Sequence, residues 1–444
     1  MPEPIKEISL SRYALQRLHA HPEWAAELAD PAPFAREEMS AALEAARGAD
    51  EAGFKRALRE LRQRVLLRAM ARDLSGRAAL DEVCAAMSDL AEIEIDAALA
   101  WLGEPDLVVV GMGKLGGREL NVSSDVDLVF LFRGSMDEQE RYERAGRRLI
   151  RLLSEPTEDG FAFRVDMRLR PYGESGPLAC SFDALELYFV AQGREWERDA
   201  WIKARALSGA PEAQRELEKI VRPFVFRKYL DYATLGAMRN LHAEVRREVA
   251  RRELAEHVKL GPGGIREIEF IAQALQLVRG GRDPELMARP TLQVLKLLSG
   301  KKLLPARAAD ELSEAYVFLR KVEHRLQYLD DAQRHDLPRD VEDQGRIARM
   351  SGFASWDEFA RRLAEARTRV SSHFEDVLAD PASDQAYVPW PDHPRLAAFR
   401  ASQRYATLPA ESKRRVDALV PALAKACGSE ATLARALFGE AVRE

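Results

Sequence analysis

The chain has 444 residues, 46% of them apolar and 31% charged, with a formal net charge of −5. That length exceeds what one compact core takes, so two or three domains are expected, and the charge gives no global pull toward nucleic acid. No apolar run nears the ~20 residues of a membrane span, and the N-terminal segment lacks the basic-then-apolar form of a signal peptide.

In chain order, residues 1–102 read as a helical region. Phe54, Leu58, Leu61, Val65 and Leu66 recur at three- and four-residue steps, and Ala79 to Trp101 continues the pattern. The texture changes at Gly103-Glu-Pro. Residues 103–210 read as a small α/β unit, with strands at Leu107–Val110 and Leu128–Phe132, a basic helix from about Glu138 to Ser154, and an alternating strand over Phe161–Pro171. Residues 211–379 are helical again; Leu312, Tyr316, Leu319, Val322, Leu326 and Leu329 form one stripe. Residues 380–444 start with a proline-rich linker, Asp380 to Pro394, and run into a further helical piece that ends without a breaker, as expected of a longer protein. Cys84, Cys180 and Cys427 are far apart and read as reduced thiols of a cytoplasmic protein; the eight histidines form no zinc-binding set.

The chemistry concentrates in Val108 to Phe132. Gly111-Met-Gly-Lys-Leu-Gly-Gly117 is a glycine turn after a strand, and Ser124-Asp-Val-Asp opens the next strand. Asp125 and Asp127, at i and i+2, project from one face. Paired carboxylates repel unless a cation sits between them, and hard oxygen donors suit Mg²⁺ or Mn²⁺. Gly113, Lys114, Gly116, Gly117 and Ser124 form the accompanying phosphate loop. The same glycines match the dinucleotide fingerprint G-x-G-x-x-G, but the next strand follows too soon for a crossover helix. A hairpin with solvated aspartates is the remaining rival.

Further along, Asp166, Arg168 and Arg170 share one face if Phe161–Pro171 is a strand, so Asp166 is the candidate third carboxylate of a two-metal site. Lys203 and Arg205 are candidate phosphate cradles or a solvated helix face. Trp196 and Trp201 read as core anchors. Lys259-Leu-Gly-Pro-Gly-Gly-Ile-Arg-Glu-Ile-Glu-Phe270 is a second glycine cluster leading into a helix; helix-start chemistry explains much of it.

The glycine loop, Ser124-Asp-Val-Asp-Leu and Asp166 together resemble the nucleotidyltransferase superfamily typified by DNA polymerase beta. With Val165-Asp-Met-Arg-Leu-Arg-Pro-Tyr-Gly-Glu-Ser-Gly-Pro-Leu178 and Lys259–Phe270 in the same order, the chain resembles the glutamine synthetase adenylyltransferase/deadenylylase family. The Glu119-Leu-Asn-Val-Ser-Ser and Gly173-Glu-Ser-Gly-Pro wording resembles that family's N-terminal half, which removes AMP from a tyrosine of glutamine synthetase. The resemblance implies a mostly α fold with an inset α/β nucleotidyltransferase domain, a small mixed twisted sheet flanked by helical bundles. It implies phosphorolysis of adenylylated glutamine synthetase to ADP, about two Mg²⁺ or Mn²⁺ ions on Asp125, Asp127 and Asp166, and a phosphate pocket among Arg168, Arg170, Lys203 and Arg205. The PII signalling protein is the implied regulator; nucleic acid and membrane are not expected partners. The alternatives are an adenylyltransferase that adds AMP from ATP and a non-catalytic PII-binding module, which intact Asp125, Asp127 and Asp166 disfavour.

Overall fold

The computed structural model describes residues 8–30, 32–46, 48–227, 251, 256–378, 390–408 and most of 410–437. They fall into two compact units, 1–374 and 375–444. Most of the Asp380–Pro394 linker lies outside the described residues.

The first unit begins with helices α1 (Arg12–Ala20), α2 (Trp24–Glu27), α3 (Arg36–Ala45), α4 (Glu51–Leu74) and α5 (Leu80–Leu102). Asp50 caps α4 by accepting from the Gly53 N–H at 2.8 Å. α5 stops at Gly103, whose φ of 71° lies in the left-handed region that favours glycine. The anticipated apolar stripe, Phe54 to Leu66, is buried throughout.

The sheet follows. Strand β1 (Val108–Gly111) leads into a one-turn helix α6 (Gly113–Gly116) and then β2 (Val126–Phe132). β1 and β2 pair antiparallel, from Val108 opposite Leu131 to Gly111 opposite Leu128. The turn is too short for a crossover helix, which rules out the dinucleotide-binding arrangement. Helix α7 (Gln139–Ser154) packs on β2 with Tyr142, Ala145, Leu149 and Leu153 buried. Strands β3 (Val165–Asp166) and β4 (Ala179–Ser181) both pair parallel with β2, one at its start and one at its end. Helices α8 (Phe182–Ala191) and α9 (Glu195–Trp201) precede β5 (Arg205–Ala206), which pairs antiparallel with β1. The described sheet is thus mixed and five-stranded, inset in helices as expected. The expected strand Phe161–Pro171 is only two residues long, because the chain turns after Asp166 into tight turns and a 3₁₀ segment at Gly173–Ser175.

Helices α10 (Pro211–Val225), α11 (Ile265–Arg279), α12 (Thr291–Gly300), α13 (Ala306–Tyr328), α14 (Val341–Met350) and α15 (Trp356–Leu378) follow, and α13 packs on α5, α11 and α12. Its stripe from Leu312 to Leu326, with Leu329 just beyond, is buried as anticipated. α13 also inserts polar groups beneath the loop between β1 and β2. Arg320, fully buried, donates to the Glu119 carbonyl and to Asn121 Oδ1, each at 2.7 Å, and Gln327 Oε1 accepts from the Ser123 N–H at 2.9 Å. These bonds satisfy backbone groups the loop would otherwise bury unpaired.

The second unit contains α16 (Pro394–Ala401), α17 (Gln403–Ala406) and α18 (Ala410–Ala426), around Leu396, Val420, Ala424 and Leu433. Cys84, Cys180 and Cys427 are free thiols. Among the described residues no helix is long and apolar enough to cross a membrane.

Candidate active site

Sheet register assembles the acidic residues. The Met112 N–H donates to the Asp127 carbonyl at 2.9 Å, which folds the glycine turn back over the start of β2. Parallel pairing sets Asp127 opposite Asp166, with Asp125 just ahead of the strand. All three border a cavity of about 500 Å³, with Gly113, Lys114 and Ser124 on the same wall.

The charges there are not at rest. Burial, with repulsion from Asp166 and Asp125, pushes the Asp127 carboxyl up to about 6 despite Lys259 and Lys114 nearby. Burial also acts upward on Asp166, but the Arg168 guanidinium at 2.8 Å and the Arg168 N–H hold its carboxyl below the usual range. Asp125 Oδ1 accepts from Arg164 Nε at 2.8 Å, and the same guanidinium donates to the Ser123 carbonyl. With two acids drawn onto arginines, no three acidic, histidine or cysteine side chains among the described residues converge closely enough to hold an ion.

The facing wall comes from α9, from Lys203 just after it, and from Lys259 and α11. Lys114 Nζ reaches across to Glu269 at 3.2 Å, and Arg266 pairs with Asp199 at 2.9 Å. Burial opposes the Glu269 charge, yet Lys114, Lys203, Arg266 and Lys259 bring its carboxyl down to about 2. Lys203 donates to Glu119 at 2.6 Å and to Thr291 at 2.9 Å. His335 Nδ1 lies 2.9 Å from the fully buried Glu323. Among the described residues, three cavity-lining oxygens, Ser124 Oγ, Asp199 Oδ1 and Gln273 Oε1, are buried with no hydrogen-bond partner, which marks a place for a bound polar group.

Of the expected residues, Gly113, Lys114, Ser124, Asp125, Asp127, Asp166, Arg168 and Lys203 line this cavity. Gly116, Gly117, Arg170 and Arg205 do not. Gly116 packs on the Lys203 carbonyl and Gly117 on the Lys203 stem. Arg170 donates to the Met167 carbonyl at 2.8 Å and the Glu174 carbonyl at 3.1 Å, bracing the turn after β3. Arg205 donates to the Gly116 carbonyl at 3.1 Å and pairs with Glu92. The shared-face argument for Arg170 failed because the strand ends at Asp166. Trp201 is a core anchor, but Trp196 lines the cavity and is 42% exposed. Lys259, Asp199, Gln273 and His335 border the cavity without having been singled out. Lys259 heads the second glycine cluster, the one signal that pointed toward it.

A family model described as glutamate-ammonia ligase adenylyltransferase matches residues 5–220, and one described as GlnD PII-uridylyltransferase matches residues 239–378. Three similar curated proteins are named bifunctional glutamine synthetase adenylyltransferase/adenylyl-removing enzyme. They come from Aromatoleum aromaticum, Nitrosomonas europaea and Chromobacterium violaceum, at 50%, 51% and 46% identity. The alignments take in 86%, 83% and 94% of this chain and 44%, 43% and 52% of those proteins. The chain spans about half the length of the curated relatives it matches.

Proposed function

The chain belongs to the glutamate-ammonia ligase adenylyltransferase family over residues 5–220, and from that membership we propose that its cavity removes AMP from adenylylated glutamine synthetase. The reaction is phosphorolysis: inorganic phosphate attacks the AMP phosphorus, and ADP and the free tyrosine leave. The observation that carries the reading is the Asp127–Asp166 register pair, with Asp125, in one cavity with Lys114 and Lys259. Such a site suits a substrate that brings both phosphoryl oxygens and cations. The wording Glu119-Leu-Asn-Val-Ser-Ser and Gly173-Glu-Ser-Gly-Pro supports the removing direction.

The donor set fits Mg²⁺ or Mn²⁺: three hard carboxylates, one held near 6 by burial and then by repulsion from Asp166 and Asp125, which a cation would offset. Asp125, Asp127 and Asp166 would hold about two ions once Arg164 and Arg168 release their acids. Bound there, the metal supplies charge to offset the phosphoryl oxygens and the departing phenolate. The protein's own part is positioning. Gly113 offers bare backbone beside Asp127; Lys114 is fixed by Glu269; Ser124 Oγ is a free hydroxyl on the same wall. Arg168, largely exposed at the cavity edge, would on release turn to the AMP phosphate. A tyrosine phenol, with a pKa of ~10, leaves readily. The PII signalling protein as regulator rests on family resemblance.

The test mixes the purified chain with adenylylated glutamine synthetase, Mg²⁺ and phosphate. Phosphate-dependent ADP release is expected. AMP transfer from ATP to unmodified glutamine synthetase, without such release, reverses the assignment to the adding reaction.

A further inference from the structure

Phosphorolysis places two anions in one cavity, the AMP phosphate and the attacking phosphate, and the second needs a fixed cation. The expected candidates are already engaged. Arg168 is forked onto Asp166 and on release is assigned to the AMP phosphate, Lys203 is bonded to Glu119, Arg170 is spent on carbonyls, and Arg205 pairs with Glu92. Of the other cavity cations, Lys114 is held by Glu269 and Arg266 by Asp199. Lys259 differs: among the described residues no carboxylate lies within ion-pair distance of its ammonium. It is half-buried and lines the cavity, and its charge is felt at Asp127.

The chain goes to some length to hold this lysine. Val258 N–H donates to the His335 carbonyl at 2.8 Å, the Lys259 and Leu260 N–H groups donate to His257 Nδ1 at 3.2 and 3.0 Å, and the Arg266 N–H donates to the Lys259 carbonyl at 3.0 Å. Gly263, at φ 67°, closes the turn where a side chain would overlap the Arg367 backbone. The Lys-Leu-Gly-Pro-Gly-Gly cluster is therefore a rigid mount that delivers one ammonium to the cavity. Repulsion from Lys114, followed by burial, holds that ammonium below the usual lysine range, the condition of a cation waiting for a counter-ion.

We propose that Lys259 seats the second phosphate: the attacking inorganic phosphate, and equally the β-phosphate of the ADP it becomes. The inference rests on the deadenylylase reading and deepens it. In the step, an oxygen of hydrogenphosphate forms the new P–O bond, the bond from phosphorus to the tyrosine oxygen breaks, and the proton of the hydrogenphosphate ends on that tyrosine oxygen. Lys259 keeps its own proton and acts as a charge.

The test compares ADP and AMP, because only ADP fills the second subsite. Affinities are measured by calorimetry with Mg²⁺ on the whole chain, for the parent protein, Lys259→Ala and Lys259→Arg. The parent should bind ADP more tightly than AMP. Lys259→Ala should lose at least tenfold in ADP affinity while AMP stays within twofold, which also certifies the fold; Lys259→Arg should recover part of the loss. In turnover, Lys259→Ala should raise the phosphate concentration for half-maximal ADP release about tenfold. An unchanged ADP-to-AMP ratio, or an equal loss of both nucleotides, overturns the subsite and leaves the deadenylylase reading standing. A parent protein that binds neither nucleotide overturns that reading and this inference with it.

Discussion

Asp127 sits where three demands meet: a buried position, two neighbouring acids and a place on the cavity wall. Replacing it with asparagine keeps the shape and removes the charge. We expect Asp127→Asn to cut ADP release about a thousandfold, equivalent to ~4 kcal/mol at the transition state. The melting temperature of the metal-free protein should stay level or rise, since repulsion with Asp166 and Asp125 is relieved. Turnover within tenfold of the parent would remove Asp127 from the reaction. Lys203 makes a contrasting case. It is buried against Glu119, so Glu119→Ala strands a charge and should cost about 3–5 kcal/mol in urea unfolding. A loss below about 1 kcal/mol would mean that Lys203 finds other company. The difference between these residues is also a difference in legibility. Asp125 and Asp127 could be paired from spacing alone, because strand alternation is local. Lys203 invited a phosphate role because its partner Glu119 lies 84 positions away and nothing in the pattern couples them. Lys259 was passed over for the same reason: what distinguishes it is that, among the described residues, no carboxylate lies within ion-pair distance of its ammonium, a property of three-dimensional surroundings.

Elements whose pattern is complete within themselves were readable. The valines of β1, the apolar run of β2 and the stripes of α4 and α13 are each set by burial along one element. β3 was overextended, because alternation over Phe161–Pro171 says nothing about where β2 stops offering partners, and pairing ends after Asp166. The choice between hairpin and dinucleotide fold was settled by length alone, since α6 is a single turn. That turn is tightly lodged. A side chain at Gly116 would overlap the backbone carbonyls of Lys203 and Gly111, neither of which can swing away. Gly116→Ala should therefore destabilise by about 1–3 kcal/mol and lower ADP release further by shifting Lys114 and Gly113. Chemical denaturation and turnover at a temperature where the variant is folded separate the two effects; wild-type values in both would show that the loop relaxes freely.

At the scale of the whole molecule, buried ionisable groups set the response to acid. Burial, with Arg320 nearby, holds the His324 ring neutral down to about 3, and among the described residues neither ring nitrogen has a hydrogen-bond partner. The unfolded chain takes up that proton near ~6.5, so the unfolded state binds more protons between those values and stability falls as pH drops through the window. Glu269, held at about 2, adds a second loss below the ordinary glutamate value of ~4.3. We expect the His324 contribution to unfolding free energy to decline from near pH 6.5 toward pH 3, by up to ~1.4 kcal/mol per pH unit, against the opposite contribution of the raised Asp127 and Asp96 carboxyls, which take up protons in the folded state. His324→Leu should flatten the upper part of that decline; an unaltered slope would assign it to other groups. Long-range placement also governs how the chain comes to be active at all. The loop bearing Asp125 is pinned by Gln327, 204 positions after Ser123, and by Arg320, 199 positions after Asn121. A ribosome adding ~5–20 residues per second needs about 10–40 s to cover that interval. Throughout it the nascent polypeptide displays its acidic loop with no floor beneath it. On the proposed function, the floor of the site is complete only when the helix carrying Arg320 and Gln327 emerges and docks.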